Sequence, residues 1–109
     1  MSTYSELKGI VESLGISCSA LALPQATATY AIVRMLTHQP EMSGDDQPIL
    51  FGAYMQVDLF TTADADTKAR IVMNAAMADG YLYRGRSDDY LNDRQHVEIR
   101  LLKLEENHP

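Results

Sequence analysis

Thirteen consecutive residues, Ile49 to Thr61, constrain this chain more than any other segment. Phe51, Ala53, Met55, Val57 and Leu59 alternate with Gly52, Tyr54, Gln56 and Asp58. A period of two is the signature of a β-strand with one face in the core and the other more polar. At roughly 3.3 Å per residue such a strand reaches about 40 Å. That is long for a chain of 109 residues, which is the size of one domain. Part of the strand is therefore expected to project beyond the body.

The flanking segments predict what packs on it. Leu7, Ile10, Val11 and Leu14 fall on one helical stripe, Thr3 and Glu6 have capping-box spacing, and Gly15 is placed to stop the helix. Between residues 16 and 29 the period is lost. Ile16, Leu21 and Leu23 suggest a short strand ended by Pro24. Tyr30 to His38 reads as a second strand, apolar on both faces with Arg34 as its only charge. A strand covered on two sides, or lying inside an assembly, has this pattern. Gln39 to Pro48 reads as a long loop, because two prolines bracket Ser43-Gly44-Asp45-Asp46. After the long strand, Thr62 and Asp64 are candidate caps of a second helix. Ile71, Val72, Ala75 and Ala78 form its expected stripe, and Gly80 closes it. Tyr81 to Asp93 reads as irregular. Arg94 to Leu104 is the last expected strand, with Val97, Ile99 and Leu101 alternating against Glu98, Arg100 and Leu102, and a frayed tail follows. The reading is an α+β domain: a small mixed or antiparallel sheet with two helices packed on one face, in the order helix, strand, strand, helix, strand.

Charge narrows the function. The formal net charge is −6, which disfavours nucleic acid and an anionic membrane as main partners. No lysine or arginine lies between Arg34 and Lys68, where Glu41, Asp45, Asp46, Asp58, Asp64 and Asp66 fall. A solvated, solubilising edge is the first reading of this acidity, and a patch for a basic partner is the second. Hydrophobic residues make up 46% and charged residues 22%, so the chain can bury a core and is not expected to be disordered. No apolar run approaches the length needed to span a bilayer, and the first residues lack the basic-then-apolar pattern of a secretory signal. A single cysteine, Cys18, excludes an internal disulfide.

Catalytic patterns are missing from the sequence: no Gly-x-Ser-x-Gly elbow, no Walker loop, no Gly-x-Gly-x-x-Gly and no His-Glu-x-x-His. The expectation is no enzyme, no cofactor and no metal. His38 and His96, both placed near strand ends, make the one metal arrangement worth weighing, with Glu41 or Asp93 as a third ligand. Solvated histidines are the favoured reading. Asp88, Asp89 and Asp93 lack the alternating oxygens of a calcium loop. Arg84 and Arg86 are expected to pair with Asp88 and Asp89 rather than grip a phosphate.

Three stretches resemble the tail terminator and tail-completion proteins of long-tailed phages. Tyr30-Ala31-Ile32-Val33 is similar to the family's first sheet strand, which a polar loop follows. Gln56-Val57-Asp58-Leu59-Phe60-Thr61 is similar to the strand that runs into its long helix. Gly80 with the tyrosine-rich segment after it, then His96-Val97-Glu98-Ile99-Arg100, resembles its helix exit and closing strand. The resemblance runs from Glu6 to Leu104 and rests on architecture rather than on a diagnostic motif. It implies a virion protein, assembled in the host cytoplasm as a ring, commonly a hexamer. The ring caps the tail-tube protein and meets the head connector protein through protein–protein contacts alone. Other head–tail junction components, or a small acidic intracellular adaptor, fit the same pattern. The expected partner-binding residues are Glu41, Asp45 and Asp46 in the acidic loop, with Arg84 and Arg86 as a second locus.

Overall fold

The computed structural model describes residues 3–19, 29–44, 47–91 and 94–106. The elements are α1 (Thr3–Ser13), β1 (Ser17–Cys18), β2 (Tyr30–Gly44), β3 (Gln47–Thr61), α2 (Ala65–Ala78), β4 (Leu82–Leu91) and β5 (Arg94–Glu106). They build one five-stranded sheet in the order β1-β2-β3-β5-β4. β1 runs parallel to β2 and every other pairing is antiparallel. The expected α+β class is the one found, with a larger sheet than the sequence suggested.

β3 is central because its two faces differ as the alternation requires. Ala53, Met55, Val57 and Leu59 are fully buried. They meet Val97, Ile99 and Leu101 from β5 and Ala31 and Val33 from β2 in a single core. Both helices close that core from the same side, α1 through Leu7 and Val11 and α2 through Ala65, Ala69, Val72 and Ala76. The stripe of α2 is thus rotated from the one expected. Val72 is in it, but Ile71 is 47% exposed and Ala78 also faces solvent. Small alanines let the helix lie close to the sheet, so the burying face is the one of least bulk.

The helix ends follow two rules. α2 closes in a Schellman arrangement: Gly80, with φ of 97°, donates to the Met77 carbonyl and Tyr81 donates to that of Ala76. Gly15, with φ of 83°, closes α1 by donating to Glu12. The N-termini differ from expectation. Asp64 is the N-cap of α2 but sits in the left-handed region and makes no side-chain cap bond. The amide of Ala65 is accepted instead by Gln95 Oε1 on β5, at 3.2 Å. On α1, Thr3 donates to Glu105, and Glu6 accepts from the hydroxyl of Tyr81. The capping-box residues thus tie the helix to the sheet.

Two stretches expected to be irregular are strands. β2 continues through Gln39 and Pro40 to Gly44, and β3 begins at Gln47. Proline is tolerated because this is an edge strand, and register shifts on either side of Met42 absorb the misfit. Only Asp45 and Asp46 of the expected loop remain between the strands, and they lie outside the described residues. The polar run after Tyr81 forms β4, an edge strand whose ladder is supplied by β5 and which bulges at Arg84, between Tyr83 and Gly85. Of the expected short strand after α1, Ser17 and Cys18 are paired, whereas Leu21, Leu23 and Pro24 lie outside the described residues. The last strand runs to Glu106, past the point where fraying was expected.

Candidate functional site: the open face of the sheet

No helix among the described residues covers the other face of β3, yet its side chains are buried. Gln56 is 7%, Asp58 2% and Phe60 3% exposed. Among the described residues they contact one another and neighbours on β2 and β5. The register explains which neighbours. Asp58 stands opposite Ile32 and Glu98, Phe60 opposite Tyr30 and His96, and His96 opposite Asp89. All these positions share one face, since side chains alternate along a strand.

Aromatic stacking forms the floor. The rings of Tyr30 and Phe60 stack at 4.9 Å, and those of Phe60 and His96 at 4.5 Å, so the ladder crosses three strands. The Arg94 guanidinium lies 5.8 Å from the Tyr30 ring centre.

Beside this ladder sits a charged cluster centred on Asp58. Arg34 donates to Asp58 Oδ2, and Gln56 Nε2 donates to Oδ1 at 2.9 Å. His96 Nε2 stands 3.1 Å from the same Oδ1, and His96 Nδ1 stands 2.8 Å from Asp89 Oδ1. Glu98, two residues along β5, accepts from Arg100 at 3.0 Å. One potential donor atom from each of Asp58, His96 and Glu98 falls within 4.8 Å of the others, close enough that the three could hold one cation. His96 and Asp89 also line a shallow cleft with Ala65, Tyr90 and Gln95.

The histidine pair weighed from sequence does not form. His38 stacks on Phe51 at 5.1 Å and pairs with Glu105 at 3.1 Å, while His96 lies farther along the sheet at the level of Phe60. Of the third donors weighed, Glu41 is bound elsewhere and Asp93 lies outside the described residues.

The expected partner-binding residues fall in separate places. Glu41 lies near the hairpin end, where it accepts from Tyr54 Oη at 2.7 Å and Gln39 Nε2 at 3.1 Å. These two donors hold its carboxyl below the usual value, and Arg84 across the sheet adds to the effect. So Glu41 does have positive charge nearby, contrary to what its sequence neighbourhood suggests. Gly52 makes room for it, since a Cβ there would stand 2.7 Å from Glu41 Cγ. Asp45 and Asp46 lie outside the described residues. Arg86 is on the helix side, bonded to Asp88 and to Asp66 of α2, as the local-pairing expectation held for Asp88. Asp89 is not part of that pairing; it serves His96.

Asp58 and His96 were each visible in the sequence, but their conjunction was not. The available signal was Arg34, the one charge in an apolar strand, and Asp58, the one charge in the alternating strand. Two lone opposite charges on adjacent strands are candidates for a buried pair.

No family model matches this chain, and no curated protein matches its sequence. No helix among the described residues is long and apolar enough to cross a membrane.

Proposed function

We propose that this chain is a structural phage or prophage protein that assembles head-to-tail into a ring, caps the tail tube and helps join tail to head. The observation that carries the reading is a sheet with two open edges. Among the described residues, β1 covers β2 only at Tyr30 and Ala31, and nothing pairs with the outer edge of β4. An edge with unpaired N–H and C=O groups is a template for another strand. Two different edges on one subunit favour a heterologous contact, and such contacts close into rings when the rotation permits.

Exposed apolar side chains on the edge strands support the same reading. Met35 and Leu36 on β2, and Leu82, Tyr83 and Tyr90 on β4, are 41 to 76% exposed. The molecule is elongated, at 52 × 24 × 22 Å. Among the described residues, the β2–β3 hairpin runs on beyond the Leu50–Glu106 pair as a two-stranded ribbon, a shape suited to reaching a neighbour. The polar clusters described above offer no nucleophile and base together, which favours recognition over catalysis.

Light-scattering mass at increasing concentration, with and without purified tail tubes, tests this. The expected result is a ring of several subunits, and tubes whose growth stops when it is added. A monomer under both conditions, with tubes growing past their normal length, overturns it.

A further inference from the structure

We propose that Asp58, His96 and Glu98 form a binding site for one divalent transition-metal ion of the zinc type, which staples β3 to β5 on the open face. The site does not depend on assembly, so its test stands apart from that of the ring.

Both ring nitrogens of His96 face carboxylate oxygens, Nδ1 at 2.8 Å from Asp89 and Nε2 at 3.1 Å from Asp58. Glu98, at the register position opposite Asp58, brings a third donor atom within 4.8 Å of those of Asp58 and His96. One imidazole and two carboxylates from two adjacent strands are a donor set that a single metal ion can use together.

The surroundings are those of a metal site. Bonds to zinc of about 2.0 to 2.2 Å place neighbouring donors about 3.3 Å apart in a tetrahedron. Asp58 and His96 stand near that spacing, at 3.1 Å, and Glu98 lies within 4.8 Å of both. Each donor residue also has an ion-pair partner outside the trio, Arg34 for Asp58, Asp89 for His96 and Arg100 for Glu98, and Gln56 Nε2 donates to Asp58 Oδ1 at 2.9 Å. Such partners fix ligand orientation and tautomer in metal sites. Three carboxylates stand against two guanidiniums around the ring, which favours a cation. An imidazole donor selects zinc-like ions over magnesium or calcium. Asp58 and His96 are buried while Glu98 is partly exposed. That leaves the fourth position for water, and the route in on the Glu98 side.

The experiment is calorimetric titration of the full chain with zinc chloride, repeated with cobalt(II) so that visible absorption reports the coordination. The expected result is one ion per chain, weakened at least tenfold in His96→Gln and Glu98→Gln. Asp89→Asn should weaken it by roughly 10- to 100-fold, as outer partners do. His38→Gln, which removes the other histidine–carboxylate pair, should bind as wild type does. If His96→Gln does not fold, Glu98→Gln and Asp89→Asn carry the same reading, since both positions are on the accessible side of the cluster. Absence of stoichiometric binding by the folded wild type overturns the proposal. Undiminished binding by Glu98→Gln and Asp89→Asn, or loss only in His38→Gln, overturns it as well.

Discussion

The two faces of β3 are buried to nearly the same degree by different physics. Toward the helices, Ala53, Met55, Val57 and Leu59 are fully buried among other hydrocarbon. On the open side, Gln56, Asp58 and Phe60 are almost as inaccessible, with no helix over them among the described residues. The first face is held by area removed from water, a non-directional force that accepts any side chain of suitable volume. The second is held by directed contacts: a stack, a guanidinium and an imidazole that must each sit at one angle. None of the buried side-chain nitrogen and oxygen atoms among the described residues lacks a partner, which is the condition for a polar face to be tolerated there. So the strand has one face that specifies stability and another that specifies a constellation.

The sharpest way to break this comparison is to shorten a side chain on the covered face. Leu59→Ala should cost about 2–5 kcal/mol, because the cavity has rigid neighbours on both sides. Leu59→Met, which keeps the volume, should cost less than about 1.5 kcal/mol. Denaturant titration gives both numbers. If the alanine variant loses no more than the methionine variant, the core is able to collapse around the gap and is not close-packed at this point.

On the open face the corresponding change is Asp58→Ala. Breaking a fully buried ion pair costs about 3–5 kcal/mol because a charge is left stranded. Here the Arg34 side chain is 55% exposed and can turn to water, so the expected loss is smaller, about 1–3 kcal/mol, mostly from the Gln56 amide and the His96 ring nitrogen that lose Asp58 as partner. Arg34→Gln alone should cost under about 1 kcal/mol. The asymmetry between the partners sharpens the comparison. Equal losses from the two variants would mean that Arg34 is as constrained as Asp58 and that the open face is covered in solution.

The same division explains what the sequence disclosed. Hydrophobic alternation over Phe51–Leu59 and Val97–Leu101 made the covered face legible, and with it the class of fold. Positive-φ glycines at 15 and 80 made both helix exits legible. β4 was hidden because Arg84-Gly85-Arg86-Ser87-Asp88-Asp89 has turn composition, and only pairing to β5 makes it a strand. The β2–β3 hairpin was hidden in the same way by Pro40 and Pro48, which local rules place in loops but an edge strand accepts. The stripe of α2 was misplaced because Ile71 is the bulkier residue, while the sheet selects the face made of Ala65, Ala69, Val72 and Ala76. The charged cluster needs Asp58, His96, Glu98 and Asp89 to meet across three strands. Their meeting depends on register, which a sequence does not print. Of the residues expected to bind a partner, Glu41 and Arg84 lie toward each other, and Arg86 is on the opposite face with its charge already engaged.

Glu41 offers the smallest effect and the finest test of whether directed contacts persist to the hairpin end. Tyr54 and Gln39 donate to its carboxylate, with Arg84 adding a weaker attraction, so its pKa in the folded chain is lowered. The same bond raises the Tyr54 phenol, because ionising it would discard the proton that Glu41 accepts. A lowered carboxylate pKa contributes stability that is present above the unfolded value, near 4.5. That contribution is lost as pH falls through the folded value. The melting temperature of wild type should therefore exceed that of Glu41→Gln slightly at pH 7, and the gap should narrow as pH falls below the unfolded value and close once the carboxyl of the folded chain is protonated. Salt should shrink it at neutral pH only in part, since the hydrogen bonds from Tyr54 and Gln39 are local and only the Arg84 attraction is long-ranged. Thermal melts from pH 3 to 7 at two salt concentrations measure this, and a carboxyl titration by NMR reads the pKa itself. A gap that stays constant with pH would show that the Tyr54–Glu41 bond is not maintained in solution. The ordered polar face would then end at Gln56, short of the hairpin.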